Sequence, residues 1–336
     1  MTTVLSDAGV MFADGSFVAS AKELMHVNDI VNGGFTVAQI GMSFAAAVSG
    51  SYDLDGWTNE RVSTAAYNVA QVTGSSSGRL ARQVTITTAA ATIATGDYVA
   101  DITRIEGYNI EKYVGNTFTI GFRARVPVAG IHCVALRNID PVTRSYVAEI
   151  NFPVANVYQN CSITVVGGLP TAGTWNYING TGLAVWFVHA VGTTFQTTPN
   201  AWQTGNFFGT ANQVNDCATL SNVWAMEKVT LNLGTVAAVS EISFEQELIR
   251  CMRYFENSNG GGGVANVLDA FVVVPTIAGR YPSWPFRVGK RIPNPSLIPL
   301  FSGGTGATLA ATQGSFYQSA NHSADATFGW TAAARL

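Results

Sequence analysis

Between Asn32 and Ser243 the chain runs in short stretches of alternating or β-branched residues: "GFTVAQIG", "RQVTITTAAATI", "TFTIGFRARVPV", "CSITVVGGL", "LAVWFVHAVG" and "WAMEKVTLNLG". Such residues suit a pleated, half-buried surface, and alternation with period two turns one face of each strand toward a core. Turn clusters break the runs, among them "YING", with its Asn179-Gly180 pair, and "TTPNAWQTGN". Many short strands with this punctuation fold as an antiparallel sandwich or jelly roll. The strand-helix rhythm of a doubly wound enzyme is missing.

The period changes once. In "ISFEQELIRCMRYFENS" the apolar positions Phe244, Leu248, Cys251, Met252 and Phe255 recur at steps of three and four, and Ser243 with Gln246 fits a capping box. The spacing predicts a short amphipathic helix. The following "NSNGGGG", Asn257 to Gly263, is a flexible spacer by composition. Beyond it "AFVVVP", "FRVG" and "SLIPLFSGG" read as strands again. At the other end, "VMFADGSFVASA" sets an Asp-Gly turn signal between Phe12 and Phe17, a hairpin or looped attachment piece too short to build a core. The expected fold class is therefore all-β. It comprises an amino-terminal attachment segment over 1–29, an antiparallel β-sandwich or jelly roll over 30–243, a short helix with a Gly-rich linker over 244–263, and a small carboxy-terminal β domain over 264–336.

Composition narrows the partners. Only 12% of the 336 residues are charged, about half the usual share of roughly 25%. The formal net charge is −3 and the 18 Lys and Arg never form a run, so neither nucleic acid nor an anionic membrane is an expected partner. The start, "MTTVLSDAGVMF", lacks the basic flank and apolar core of a signal peptide. Stretches such as "GLAVWFVHAVG" fall short of the roughly 18 apolar residues of a spanning helix; a soluble chain without membrane insertion is expected. Cys133, Cys161, Cys217 and Cys251 are spread widely with no CxxC pair, which argues for buried thiols in a reducing cytoplasm over zinc or a disulfide framework. No cofactor motif is present.

The helical segment also carries a likeness. "ELIRCMRYFENS" resembles the "EL-x-x-C-x-RY" signature of bacteriophage tail-fibre and related virion proteins, where it follows a jelly-roll module and precedes a small carboxy-terminal β domain. Other pieces stand in the same order. "NGGFTVAQIGMSF" (32–44) is similar to that family's "NG-x-F-x-x-x-Q-x-G-x-SF", and "YDLDGW" (52–57) to its "Y-x-x-DRW", with Gly56 replacing Arg. "TWNYINGTGLAVWF" and "GTTFQTTPNAWQTGN" match its "G-x-x-F-x-T…W-x-x-G". "VTLNLG" (229–234) stands for "VQLE-x-G", with Thr230 and Asn232 in place of Gln and Glu, so any role of those side chains is not carried over. "VMFADGSFVASA" resembles the "F-x-DGT-x-x-x-A" element that leads phage fibre domains. The resemblance implies a virion fibre or spike component assembled in the host bacterial cytoplasm. It implies a homotrimer, docked to other virion proteins through its amino-terminal segment, that binds host-surface polysaccharide through a carbohydrate-binding-like jelly roll. A purely structural virion protein (head fibre, decoration or collar) and a polysaccharide depolymerase spike are the alternatives.

Sugar recognition wants exposed aromatic faces flanked by short amide and hydroxyl side chains. The loop "TTPNAWQTGNFFGTANQ" offers Trp202, Phe207 and Phe208 with Asn200, Gln203 and Asn206, and Trp175 and Tyr177 add to the set. The competing reading has Trp202 closing one end of the core. Trp186 and Trp224, inside apolar runs, are expected in the core. In the last domain "RYPSWPFR" presents Arg280, Tyr281, Trp284 and Arg287 between prolines, as a host-contacting tip or as subunit packing about a threefold axis. "DLDGWTNE" invites a calcium reading through Asp53 and Asp55, with a solvated turn as the alternative, because only the first part of a calcium loop is there. Glycan hydrolysis would call for paired carboxylates. Asp97 with Asp101, Glu106 with Glu111 and Asp140 with Glu149 have no context that marks them, so a non-enzyme is expected.

Overall fold

A computed structural model describes residues 4–6, 9–11, 17–18, 28–139, 141–235, 242–257, 272–274, 283–293, 295–302, 309–318 and 326–335. Strands β1 (Val4–Ser6), β2 (Gly9–Met11) and β3 (Phe17–Val18) form a small antiparallel sheet. Its β2–β3 pairing, Met11 opposite Phe17, is the hairpin that the Asp-Gly signal predicts.

The body of the chain is β4 (Ser43–Phe44), β5 (Trp57–Val62), β6 (Ala66–Thr73), β7 (Leu80–Thr88), β8 (Tyr98–Glu106), β9 (Phe118–Arg125), β10 (Gly130–Arg137), β11 (Arg144–Phe152), β12 (Gln159–Val165), β13 (Thr181–Val191), β14 (Trp202–Thr204) and β15 (Val223–Leu233). They pair antiparallel into two six-stranded sheets, ordered β14-β11-β10-β13-β8-β5 and β12-β9-β15-β7-β6-β4. Alternation builds the core between them: Phe118, Ile120, Phe122 and Ala124 of β9 face Leu183, Val185 and Phe187 of β13 in one apolar cluster. Strand β13 is buried on its other face too. There Ala184, Trp186 and Val188 pack under Phe195, Phe207 and Phe208 of the chain that follows. This double burial is why "LAVWFVHAV" reads as an unbroken apolar run. Trp186 and Trp224 lie in the core, as expected, and Trp57 is fully buried beside Phe35.

A chain of ion pairs crosses this interior. The Arg82 guanidinium on β7 holds Asp53 with two bonds, at 2.8 and 2.6 Å, and Asp101 on β8 at 2.8 Å. Asp101 Oδ2 also faces His189 Nε2 at 3.0 Å and accepts from the Trp224 indole at 2.8 Å. His189 Nδ1 faces Asp216 at 3.3 Å, and Asp216 in turn meets His132 Nε2 at 3.0 Å. Asp53 and Asp55 are thus buried, at 1% and 2% exposure, and lie in no solvated turn. Their carboxylates go to different protein donors, Asp53 to Arg82 and Asp55 to the Gln39 N–H and Nε2, so they do not converge as a calcium loop would. Cys133, Cys217 and Cys251 are buried and Cys161 half-buried, all as free thiols. Burial pushes Cys133 up to about 11 and Cys161 up to about 12.

After the sandwich comes helix α1 (Phe244–Met252), with the predicted capping box of Ser243 and Gln246 in place. Two positions differ from the sequence pattern. Phe255, read as helical, begins a strand, and Phe244, read as apolar-face, is 52% exposed. Glu247 takes the buried position instead, because its carboxylate accepts the Asn32 N–H at 2.7 Å. No helix among the described residues is long and apolar enough to cross a membrane. The last strands are β16 (Phe255–Asn257), β17 (Val272–Val274), β18 (Ser283–Pro285), β19 (Ser296–Ser302), β20 (Leu309–Ala311), β21 (Ser315–Gln318) and β22 (Ala326–Ala333). β22 pairs with β16, β17 and β19, while β18-β21-β20 form a separate sheet. The Gly-rich segment 258–263 lies outside the described residues.

Three of the motifs that carry the phage resemblance, at 32–44, 52–57 and 247–258, meet at one joint. Asn32 donates to the Val37 and Asp55 carbonyls and accepts the Trp57 indole N–H on its own. Gln39 ties Asp55 to the Phe255 carbonyl. Cys251 packs on Val31 and Val37, and Arg253 with Tyr254 closes on buried Glu106, at 2.7, 2.8 and 3.0 Å. These separated stretches therefore form the seam that fastens α1 and the carboxy-terminal strands to the sandwich.

Candidate ligand groove

The outer face of the second sheet carries a groove of about 790 Å³. Its walls come from the β6–β7 turn, residues 76–80, from Gly121 and Arg123 of β9, from Asn160 and Cys161 of β12, and from residues 227–230 of β15. The loop around Gly33 and Thr36, with Ile242 and Glu247, completes the rim. "FRAR" builds part of this face by alternation: Phe122 and Ala124 pack inward, so Arg123 and Arg125 point outward together. Both guanidinium groups lie near the Tyr158 ring, 5.9 and 5.7 Å from its centroid.

A bulge in β15 shapes the groove. The pairing with β9 slips between Glu227 and Thr230, and Lys228 takes a left-handed backbone with φ of 55°. For a residue with a side chain this conformation costs on the order of 1 kcal/mol or more. The Gly33 carbonyl accepts the Val229 N–H at 2.8 Å, and Asn28 Nδ2 donates to the Val229 carbonyl at 2.9 Å. A Cβ at Gly33 would sit 2.0 Å from that carbonyl oxygen, so only glycine permits the approach. Glu227 accepts from Ser75 N at 2.8 Å and Ser75 Oγ at 2.5 Å, and lies 3.6 Å from Arg123 Nε. Burial raises the Glu247 pKa, against the opposing pull of Arg250 and the Asn32 N–H.

The residues singled out from sequence are distributed otherwise. Trp202 is half-buried, its indole donating to the Gly168 carbonyl at 2.9 Å. It packs on Tyr146 at 5.4 Å and edge-on against Trp175 at 5.7 Å, at the margin of the main core. Trp175 is 8% exposed. Gln203 sits in β14 opposite Ser145, and Asn200 is exposed with its N–H on the Val147 carbonyl. Asn206 accepts from Arg137, and Phe207 packs on the outer cluster beside Trp186. Tyr177, in contrast, is exposed. It lies beside Tyr108 at one end of the sandwich, where Tyr108 N–H bonds the Ile178 carbonyl at 3.0 Å. Partial desolvation of the Tyr177 hydroxyl, with the Glu111 charge nearby, raises the Tyr177 pKa. Arg287 is exposed, with its N–H on Glu256. The Trp284 backbone lies in β18 but its side chain, with Arg280 and Tyr281, falls outside the described residues.

Sequence reading overlooked Arg79, Arg123, Glu227 and Lys228. Two signals were available: "FRAR" puts two arginines on one strand face, and Thr230, where the phage pattern is broken, lines the groove.

No family model matches the chain, and no curated protein matches it. Among solved structures, one described as "CBM4 structure and function" aligns at 17% identity over 61% of this chain and 99% of that one, with a TM-score of 0.33. The family 11 carbohydrate-binding module of the cellulosomal cellulase Lic26A-Cel5E of Clostridium thermocellum aligns at 11% over 58% and 96%, TM-score 0.34. An arabinose-bound MgGH51 α-L-arabinofuranosidase aligns at 13%, TM-score 0.32, over 62% of this chain but only 29% of the enzyme. Likeness of this size carries no weight for ligand or activity, and the sandwich rests on the strand pairing itself.

Proposed function

We propose that this chain is a carbohydrate-binding component of a bacteriophage fibre or spike, and that an extended polysaccharide on the host surface lies in the groove across the second sheet. The observation that supports the ligand is the groove. Its 790 Å³ falls in the range of about 300–1,000 Å³ typical of ligand sites. Its lining sets the half-buried Leu80 among short hydroxyl and amide side chains, Thr36, Ser76, Ser77, Asn160 and Thr230. A sugar ring has the same division, C–H faces and a rim of hydroxyls. The virion assignment rests on the ordered motifs from Asn32 to Tyr254. The proposal includes a homotrimer, whose several shallow sites would offset weak single-site affinity, and binding without bond cleavage.

Purified protein is assayed on a glycan array and on host cells beside Ser77→Trp, which places a large ring at the exposed groove wall without touching the core. Binding by wild type, and its loss in a folded Ser77→Trp, is the expected result. Wild-type protein that binds no polysaccharide overturns the carbohydrate reading and favours a structural virion role.

A further inference from the structure

The hydrogen-bonding capacity of the groove is unbalanced. Its two carboxylates are already engaged: Glu227 accepts twice from Ser75, and Glu247 accepts the Asn32 N–H while lying 3.5 Å from Arg250. Its arginines are less committed. Arg79 makes no side-chain hydrogen bond or ion pair among the described residues, and Arg123 Nε is buried without a hydrogen bond, with Glu227 at 3.6 Å. Lys228, which has an interaction of its own, lies on the same lining. A chain with a net charge of −3 thus concentrates positive charge and spare N–H donors in one place.

A neutral glycan would leave those guanidinium groups with hydroxyl partners alone, whereas a planar acidic group takes two parallel N–H bonds from one arginine. We infer that the groove selects an anionic polysaccharide, one bearing carboxylate or sulfate groups that Arg79 and Arg123 recognise. This inference rests on the carbohydrate reading above.

The test measures binding of wild type, Arg79→Ala, Arg123→Ala and Arg123→Gln to polygalacturonate, heparin, a neutral β-glucan and poly-glutamate, at about 50 and about 200 mM salt. Preference for an acidic glycan over the β-glucan by about tenfold or more, with a loss of about tenfold in each arginine variant, supports the inference. Polygalacturonate and heparin separate carboxylate from sulfate. Equal binding of neutral and acidic glycans, unchanged by the variants, overturns the anionic class while leaving the groove reading intact. Poly-glutamate bound as tightly as the acidic glycans overturns glycan selectivity, since charge alone would then suffice. Wild type binding none of the polymers overturns both readings. Melting temperatures near wild type show that the variants are folded.

Discussion

The interior of the sandwich and the groove on its outer face both set arginine beside carboxylate, yet the two sets are satisfied differently. Inside, Arg82 spends its donors on Asp53 and Asp101, and both ring nitrogens of His189 face carboxylates. Outside, the carboxylates are occupied, Arg79 makes no side-chain hydrogen bond or ion pair among the described residues, and Arg123 meets Glu227 only at 3.6 Å. A buried charge left without its partner costs several kcal/mol, so the inner set must be complete for the fold to stand. A part-exposed donor group such as that of Arg79 carries no such penalty. The difference teaches which charges hold the structure and which are available to a ligand, and four measurements would break or sharpen it.

The largest effect is expected for Arg82→Met, which strands two buried carboxylates. Denaturant titration should show a loss of about 3–5 kcal/mol or no folded protein, and a loss under about 1 kcal/mol would mean that the inner set is not structural. Arg253→Ala is expected to cost about 2 kcal/mol, since among the described residues Glu106, at 2% exposure, keeps only Tyr254 as a side-chain partner. Proteolysis within the strands after α1 should rise with it, because the joint fastens that region to the sandwich.

The third effect is a pH slope. Burial opposes charge on His189, but Asp101 and Asp216 outweigh it and raise its pKa above the ordinary 6.5. A raised histidine contributes fully below that ordinary value and loses its contribution as pH rises through the folded one. Wild-type stability should therefore fall on going upward from pH 6.5, with a shallower fall in His189→Gln. Parallel profiles would remove His189 from the inner set. The smallest effect is expected at the groove. Arg79→Ala should change stability by no more than about 0.5 kcal/mol, and a larger loss would place Arg79 among the structural charges.

The strands were readable because alternation and turn residues are local signals, and the helix because Ser243 and Gln246 announce its start. Phe244 and Glu247 exchanged roles against the pattern, since a backbone N–H at Asn32 needed an acceptor and hydrophobicity alone does not record that need. Trp202 illustrates the same limit. Its Pro/Gly/Asn-rich loop argued for exposure, while its position opposite Tyr146, beside Trp175, depends on how β14 joins the edge of the first sheet.

By itself the sequence determined the all-β class, the short capped helix and the core placement of Trp186 and Trp224, because each follows from neighbours a few residues away. Only the tertiary structure decided that Asp53, Arg82, Asp101, His189 and Asp216 form one buried chain, that three of the phage-like motifs meet in a single seam, and that Arg79, Arg123 and Lys228 share a groove. Charge pairing and concavity are properties of residues far apart in the chain. Strand order and register bring them together, and no local period encodes either one.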